Sequence, residues 1–139
     1  MPPLLDEFKA LYRELGPVNT RSFNRVYHDN VKFKDPVHEV HSAASLLTYM
    51  EDMCQTLDFC KFEYLDELVA ADAAYIKWNM NFRHPRLGDK THTVRGMSHI
   101  QFDDRIYFHE DVYDLGQMVY EHVPVLGGMT RWVKARLAS

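Results

Sequence analysis

The hydrophobic pattern of this chain changes period near Lys61. Before that point apolar residues recur at helical spacing. Leu4, Phe8, Leu11 and Leu15, with Leu5 and Tyr12 beside them, predict a first amphipathic helix ended by Gly16-Pro17. Asn19-Thr20 offers a cap for a short second helix that carries Phe23, Val26 and Tyr27 and stops near His28-Asp29-Asn30. Val31 to Asp35 reads as a strand and Pro36 to His41 as a loop. Ser42 then caps a third helix with a buried stripe of Leu46, Leu47, Met50, Met53 and Cys54.

From Lys61 onward the alternation is that of strands. Segments 61–69 and 74–84 are joined by Ala70-Ala71-Asp72-Ala73, and Ile76, Trp78, Met80, Phe82 and His84 share one face of the second. After the turn Pro85-Arg86-Leu87-Gly88-Asp89, residues 91–102 place His92, Val94, Gly96, Ser98 and Ile100 on one side, with Thr93, Arg95, Met97, His99 and Gln101 on the other. Asp103-Asp104 turns the chain into 105–114. There Tyr107, His109, Asp111 and Tyr113 share a face opposite Ile106, Phe108, Glu110 and Val112. Val123-Pro124-Val125-Leu126-Gly127-Gly128 leads to a final helix from Met129 to Leu137, with Met129, Trp132 and Val133 expected to face inward and Arg131, Lys134 and Arg136 to face water. Helices followed by a run of antiparallel strands is the α+β pattern, with helices covering one face of a curved sheet.

A length of 139 residues fits one domain with a single core, and neither a repeat nor a linker interrupts 1–139. Hydrophobic content of 46% with 26% charge is that of an ordinary globular chain. Eight Tyr, eight Phe, two Trp and seven Met suit a generous core or an apolar cavity lined by adaptable side chains. A net charge of −4 supplies no attraction to nucleic acid or to anionic lipid, so neither is an expected partner. Cys54 and Cys60 do not form a zinc or disulfide framework, no apolar run is long enough for a membrane span, and the start lacks a signal-peptide layout; a cytoplasmic location is expected. No phosphate loop or dinucleotide fingerprint occurs, so no cofactor is expected.

The candidate chemistry starts at Asp35. Along Val31-Lys32-Phe33-Lys34-Asp35-Pro36 the acid points where Val31 and Phe33 point, toward the core. A carboxylate there is costly unless hydrogen-bonded or neutralised, and a desolvated acid is suited to moving protons. The alternative is that Asp35 opens the turn at Asp-Pro or caps a neighbouring segment. His109 and Asp111 leave one strand face together and could supply a second acid–base pair, or could pair with each other to satisfy a polar cluster. Tyr12 lies beside the apolar stripe of its helix, as a donor toward the site or as a core tyrosine.

His38-Glu39-Val40-His41 superficially resembles a metal helix, but the histidines are three apart, precede the Ser42 cap and lack a third ligand in sequence, so no metal site is expected. His84 and His92, flanking a turn, are expected to be solvated. Trp78, Met80 and Phe82 could line a cavity or belong to core or interface.

Tyr27-His28-Asp29-Asn30-Val31-Lys32-Phe33-Lys34-Asp35-Pro36 is similar to the segment Y-x-x-D-hydrophobic-x-hydrophobic-x-D-P of the nuclear transport factor 2-like superfamily, and His109-Glu110-Asp111-Val112-Tyr113-Asp114 resembles the H-x-D-x-x-D strand end of its SnoaL-like members. Val40-His41-Ser42 stands where the family usually has a Gly opening the third helix. With these pieces in order from first helix to last strand, the chain resembles SnoaL-like and ketosteroid-isomerase-like proteins.

That resemblance implies a cone-shaped α+β barrel: a strongly curved, mostly antiparallel sheet wrapped around three N-terminal helices, with a short C-terminal helix and an apolar pocket in the cone. It also implies dimerisation through the outer sheet face, where Tyr75, Met97 and His99 lie among polar residues; a homodimer is expected. Carried residue by residue, it makes Asp35 the general base and Tyr12 the oxyanion donor. Ser98 falls where a ketosteroid isomerase has a protonated carboxylic acid, and a hydroxyl is the weaker donor, which argues against steroid isomerisation. His109 and Asp111 replace apolar residues.

The resulting expectation is a cofactor-independent isomerase, cyclase or dehydratase acting on an apolar carbonyl compound. Asp35, Tyr12, His109 and Asp111 would be catalytic, with Ser98, Phe33, Trp78 and Tyr113 contacting substrate. The alternative is a non-catalytic module binding a small molecule or a protein partner on the same fold.

Overall fold

The structure, a computed structural model, describes residues 3–13, 20–85, 88–114 and 132–138. Leu15, Gly16-Pro17, Asn19, Arg86-Leu87, the stretch Val123 to Gly128, Met129, Arg131 and the side chain of Cys54 lie outside the described residues.

Among the described residues three N-terminal helices, α1 (Pro3–Arg13), α2 (Thr20–Val26) and α3 (Ala43–Thr56), accompany six strands, β1 (Tyr27–Lys34), β2 (Glu39–Val40), β3 (Phe59–Val69), β4 (Ala73–Arg83), β5 (His92–Phe102) and β6 (Ile106–Tyr113), and a further helix spans 132–138. The sheet runs β2-β1-β6-β5-β4-β3. It is curved and unclosed. All its pairings are antiparallel except β1 with β6, so the strand that leaves the helices lies beside the last one in parallel. This is the α+β cone with an open edge at β3.

The alternation read from the sequence holds in the long strands. Ile76, Trp78, Met80 and Phe82 of β4 and Val94, Gly96, Ser98 and Ile100 of β5 are buried, whereas Tyr75 and Met97 are exposed. Phe8, Tyr12, Phe23, Val26, Leu46 and Met50 bring the apolar sides of the helices against that face in one core. Lys9 of α1 forms an ion pair with Glu67 of β3, and the Tyr64 hydroxyl donates to the Lys9 carbonyl at 2.9 Å, fixing α1 across the sheet edge.

Four local expectations are corrected. The second helix stops at Val26, and Tyr27 through Asn30 belong to β1: Tyr27 is four residues from Phe23 and fits the helical stripe, but pairing with Ile106 draws it into the sheet. Glu39–Val40 is a strand paired with Lys34 and Phe33 instead of loop, and this two-residue element has no periodicity to read. Between β5 and β6 the register shifts, Gln101 pairing with Phe108 and Phe102 with Ile106, so Ile106 is fully buried and Tyr107 is exposed, after which His109 faces in as expected. His84 and His92 are half-buried rather than solvated, the His92 ring lying 5.7 Å from that of Phe82.

The helix over 132–138 is exposed throughout, Trp132 at 63% and Val133 at 47%, so neither faces inward. The Arg136 guanidinium covers the Trp132 ring at 5.3 Å, and Lys134 pairs with Asp114.

Ser42 is the N-cap of α3, its backbone extended and its hydroxyl accepting from the Ser45 N–H at 3.1 Å. Ser42→Ala is expected to lower stability by about 1 kcal/mol, readable as a shifted urea midpoint with unchanged slope. An unchanged midpoint would mean that the cap contributes nothing.

Candidate functional site

The strand parities deliver two polar clusters to the inside of the cone. The first is built on Asp35, at the end of β1, whose side chain is 3% exposed. Because Pro36 has no N–H, the next two donors in the chain turn back. The Asp35 Oδ1 accepts from the backbone N–H of Val37 at 2.8 Å and of His38 at 2.6 Å. Its Oδ2 accepts from the Tyr49 hydroxyl of α3 at 2.5 Å. Three donors therefore hold this carboxylate, which both opens the Asp-Pro turn and faces a cavity. Burial, then the hydrogen bond to Asp35, pushes the Tyr49 hydroxyl far above the ordinary tyrosine range.

The second cluster is a hydrogen-bonded chain through the core. The Tyr12 hydroxyl lies 2.6 Å from that of Tyr27, which lies 2.8 Å from His109 Nδ1. His109 Nε2 is 2.7 Å from Asp111 Oδ1, the same oxygen that accepts from the Ser98 hydroxyl at 2.5 Å, and the Trp78 indole N–H donates to Ser98 at 2.9 Å. His109 is 1% exposed, and its ring stacks on Tyr27 at an interplanar angle of 3°. With one proton on the imidazole the chain is satisfied in one direction: Tyr12 donates to Tyr27, Tyr27 to His109 Nδ1, and Nε2–H to Asp111 Oδ1. The reverse order, in which the Tyr12 hydroxyl donates to Met50 Sδ at 3.4 Å, requires a proton on both ring nitrogens, because Nε2 faces a carboxylate oxygen.

Both hydrogen bonds to Asp111 end on Oδ1, and Oδ2 has no hydrogen-bond partner among the described residues. Asp111 lines a cavity of about 40 Å³ together with Phe33, Asp35, Tyr49, Trp78 and Tyr113, with Leu46, Met50, Met53, Phe62 and Met80 on the apolar side. Tyr12, Ser98 and His109 line instead a smaller void of about 10 Å³, which shares Phe62, Trp78 and Asp111 with the first. The expected residues are thus gathered inside the cone, but Trp78 and Asp111 divide them into two compartments. Asp35, Asp111, Phe33, Trp78 and Tyr113 face the larger, while Tyr12, Ser98 and His109 support it from behind.

Tyr113 offers the cavity a hydroxyl. Burial first, then the charges of Asp35 and Asp111, pushes it well above the ordinary tyrosine range, so it is a neutral donor. Both carboxylates also act on Tyr49, which places the four polar groups within electrostatic reach of one another.

Three residues of this site escaped the sequence reading. The helical spacing of Phe23, Val26 and Tyr27 places Tyr27 on a helix, and Tyr49 sits three residues after Leu46 beside the expected stripe. Gly96 is the third: a Cβ there would stand 2.3 Å from Cη2 of Trp78, so the indole lies directly over the glycine. An isolated Gly inside a strand is itself a signal of such close approach.

Burial raises the Tyr12 and Tyr27 hydroxyls well above their ordinary pKa. With the folded-state value above the unfolded one, their contribution is complete below the unfolded tyrosine pKa of about 10 and is lost as pH rises past it. Stability is expected to fall by about 1.4 kcal/mol per pH unit for each of the two above that point. Denaturation series spanning about pH 9 to 11 measure this, and a flat profile would contradict it.

Two other regions lack these properties. A groove of about 400 Å³ lined by His28, Asp29, Asn30, Arg105 and Tyr107 is open and polar. Beside it, His28, Asp103 and Asp104 bring three potential metal-ligand atoms within 4.8 Å. His28 Nε2 and Asp103 Oδ1 already pair there at 2.6 Å, and the Arg105 N–H, then His28, hold the Asp103 carboxyl below the usual carboxylate range. His38 and His41 do not converge: His38 lies 3.7 Å from Asp35, and His41 lies 3.9 Å from Glu39.

Residues 8–109 match the family model described as a SnoaL-like domain. No curated protein sequence matches the chain. Among solved structures, a candidate isomerase from Rhodopseudomonas palustris is similar with a TM-score of 0.73 at 18% identity, covering 87% of this chain and 96% of that one. A hypothetical protein from Catenulispora acidiphila with a ketosteroid isomerase-like fold, solved in complex with trimethylamine, gives 0.72 at 12% identity, covering 84% and 89%. A candidate polyketide cyclase from Sinorhizobium meliloti gives 0.65 at 15%, covering 80% and 94%. At these identities the likeness is one of fold. No helix among the described residues is long and apolar enough to cross a membrane.

Proposed function

Because the chain belongs to the SnoaL-like domain family of the nuclear transport factor 2-like superfamily, we propose that it is a cofactor-independent acid–base enzyme of the isomerase, cyclase or dehydratase kind. Its substrate is a small carbonyl compound with an apolar body, seated in the cavity between β6 and α3. The observation that carries this reading is Asp111: it lines an apolar cavity, one of its oxygens is fixed by His109 and Ser98, and the other has no hydrogen-bond partner among the described residues. A part-buried carboxylate with one oxygen committed and the other without a hydrogen-bond partner suits a proton acceptor.

In the proposed step, Asp111 Oδ2 takes a proton from the carbon beside the carbonyl, and the C–H electron pair moves into the carbonyl to give an enolate. Tyr113 donates a hydrogen bond to the developing oxyanion. Returning the proton from Asp111 to another carbon completes an isomerisation; returning it instead to a hydroxyl on the β-carbon, which leaves as water as the carbonyl re-forms and a carbon–carbon double bond is made, completes a dehydration. His109, backed by Tyr27 and Tyr12, orients Asp111. Asp35, whose oxygens take three donors, serves as a fixed anion rather than as the base, and Tyr12 supports the chain rather than the oxyanion.

A cavity of about 40 Å³ holds only a few non-hydrogen atoms as it stands. Larger substrates require Met50, Met53 and Met80 to move, and the unbranched methionine side chain suits that. We also propose a homodimer through the outer face of the sheet, where Tyr75 stacks on His99 at 4.4 Å beside exposed Met97 and Val112. A cytoplasmic location is part of the same proposal, supported by a sequence whose two cysteines form no disulfide framework.

The test is exchange of α-protons of small ketones in deuterated water. The protein should accelerate exchange over buffer, competitively with other cavity ligands. Binding of ketones without any acceleration would favour a non-catalytic binding module on this fold.

A further inference from the structure

The cavity that we read as the active site is lined by two carboxylates and, among the described residues, by no Lys, Arg or His. Asp35 is held at hydrogen-bond distance by backbone N–H groups and a neutral hydroxyl, and the half-exposed His38 ring, which does not line the cavity, lies 3.7 Å from its Oδ1. Asp111 meets His109 only through Oδ1, on the side away from its free oxygen. The charges of both acids reach across the space, since each acts on Tyr49 and on Tyr113 from separate elements. Two anions facing one small low-dielectric space leave a negative potential inside it, which repels an anion and favours a cation.

The rest of the wall has the matching chemistry. Phe62 and Trp78 meet edge to face at 4.9 Å, Phe33 and Tyr49 lie 5.8 Å apart, and Tyr113 lies 6.5 Å from Trp78. Aromatic faces around a desolvated site attract organic cations through their quadrupoles. The methionine sulfurs add polarisable surface without positive charge.

Resting on the reading of this cavity as the active site, we propose that its substrate is a small amino-carbonyl compound: a protonated amine seats against the Trp78 and Phe62 rings opposite Asp35, leaving Asp111 to the neighbouring carbon. The ammonium also makes that carbon more acidic, so the charge that selects the ligand assists the chemistry assigned to Asp111. Asp35 thereby has a role as counter-ion that its three donors do not obstruct, because a carboxylate oxygen has a second lone pair.

The probes are isopropylammonium, acetone and acetate, which have the same number of non-hydrogen atoms and differ in charge. Each is titrated into the isotope-labelled full-length protein while the Trp78 indole N–H resonance is followed. Isopropylammonium is expected to bind at least about 10-fold more tightly than acetone, the ratio a desolvated cation–aromatic contact supports, and acetate is expected not to bind. Asp35→Asn should reduce the preference for the cation, and the wild-type comparison stands even if that variant does not fold. Acetone binding as tightly as isopropylammonium, or acetate binding at all, overturns the inference and leaves the carbonyl reading in place. If none of the three moves the Trp78 resonance, both the inference and the reading of this cavity fail.

Discussion

Asp111→Asn is expected to lower turnover of a true substrate by at least about 10²-fold while leaving its binding nearly unchanged. The substitution preserves what holds the side chain. The amide oxygen can still accept from His109 and Ser98, whose donors meet Oδ1 at 2.7 Å and 2.5 Å. What changes is the second oxygen, the proposed proton acceptor, which becomes an NH₂ group that cannot take a proton. Asp35→Asn should cost turnover less than about 10-fold, because its assigned work is electrostatic and its hydrogen bonds come from two backbone N–H groups and Tyr49. Steady-state kinetics on both variants, after circular dichroism has shown them folded, separates the roles. If Asp35→Asn abolishes turnover and Asp111→Asn does not, Asp35 is the base and Asp111 a structural partner of His109.

The second large effect is expected at Gly96, which never contacts substrate. Its Cα carries no side chain because the Trp78 ring occupies the place of one: an added Cβ would lie 2.3, 2.6 and 2.7 Å from three ring carbons. The indole is rigid and buried, and its N–H is committed to Ser98, so it cannot give way at one end without breaking the contact at the other. Gly96→Ala should therefore destabilise the fold by about 3 kcal/mol, combining overpacking with loss of a buried hydrogen bond. It should also merge the two compartments that Trp78 separates. Trp78→Phe in the same background should recover part of the stability, since the smaller ring leaves room for the methyl group. Stability within about 0.5 kcal/mol of wild type in Gly96→Ala would show that the indole is not held as described.

The fold was legible wherever a period was long enough to count. The strands β4 and β5 each run eleven residues, and their alternation fixes which of Trp78, Ser98 and their neighbours face inward. It failed where one residue disturbs the count, as at the irregularity that exposes Tyr107, and where an element is as short as β2. The individual polar residues of the site could be named because parity points them at the core. Their connections could not. Tyr27 joins His109 across 82 positions of sequence, and Tyr49 reaches Asp35 from a different element. Which hydroxyl meets which ring nitrogen is decided by packing between strands and helices that no local pattern encodes. The same holds for the division into two compartments, which depends on the Trp78 indole lying over Gly96.

The most direct test of Asp111 as the proton acceptor is a crystal structure of the protein with acetone bound. The expected result is acetone inside the cone, with a methyl carbon within about 3.5 Å of Asp111 Oδ2, the distance of a near-attack arrangement, and its oxygen toward the Tyr113 hydroxyl. Acetone seated against Asp35 with Asp111 turned away, or found only in the open groove beside His28 and Arg105, would contradict it.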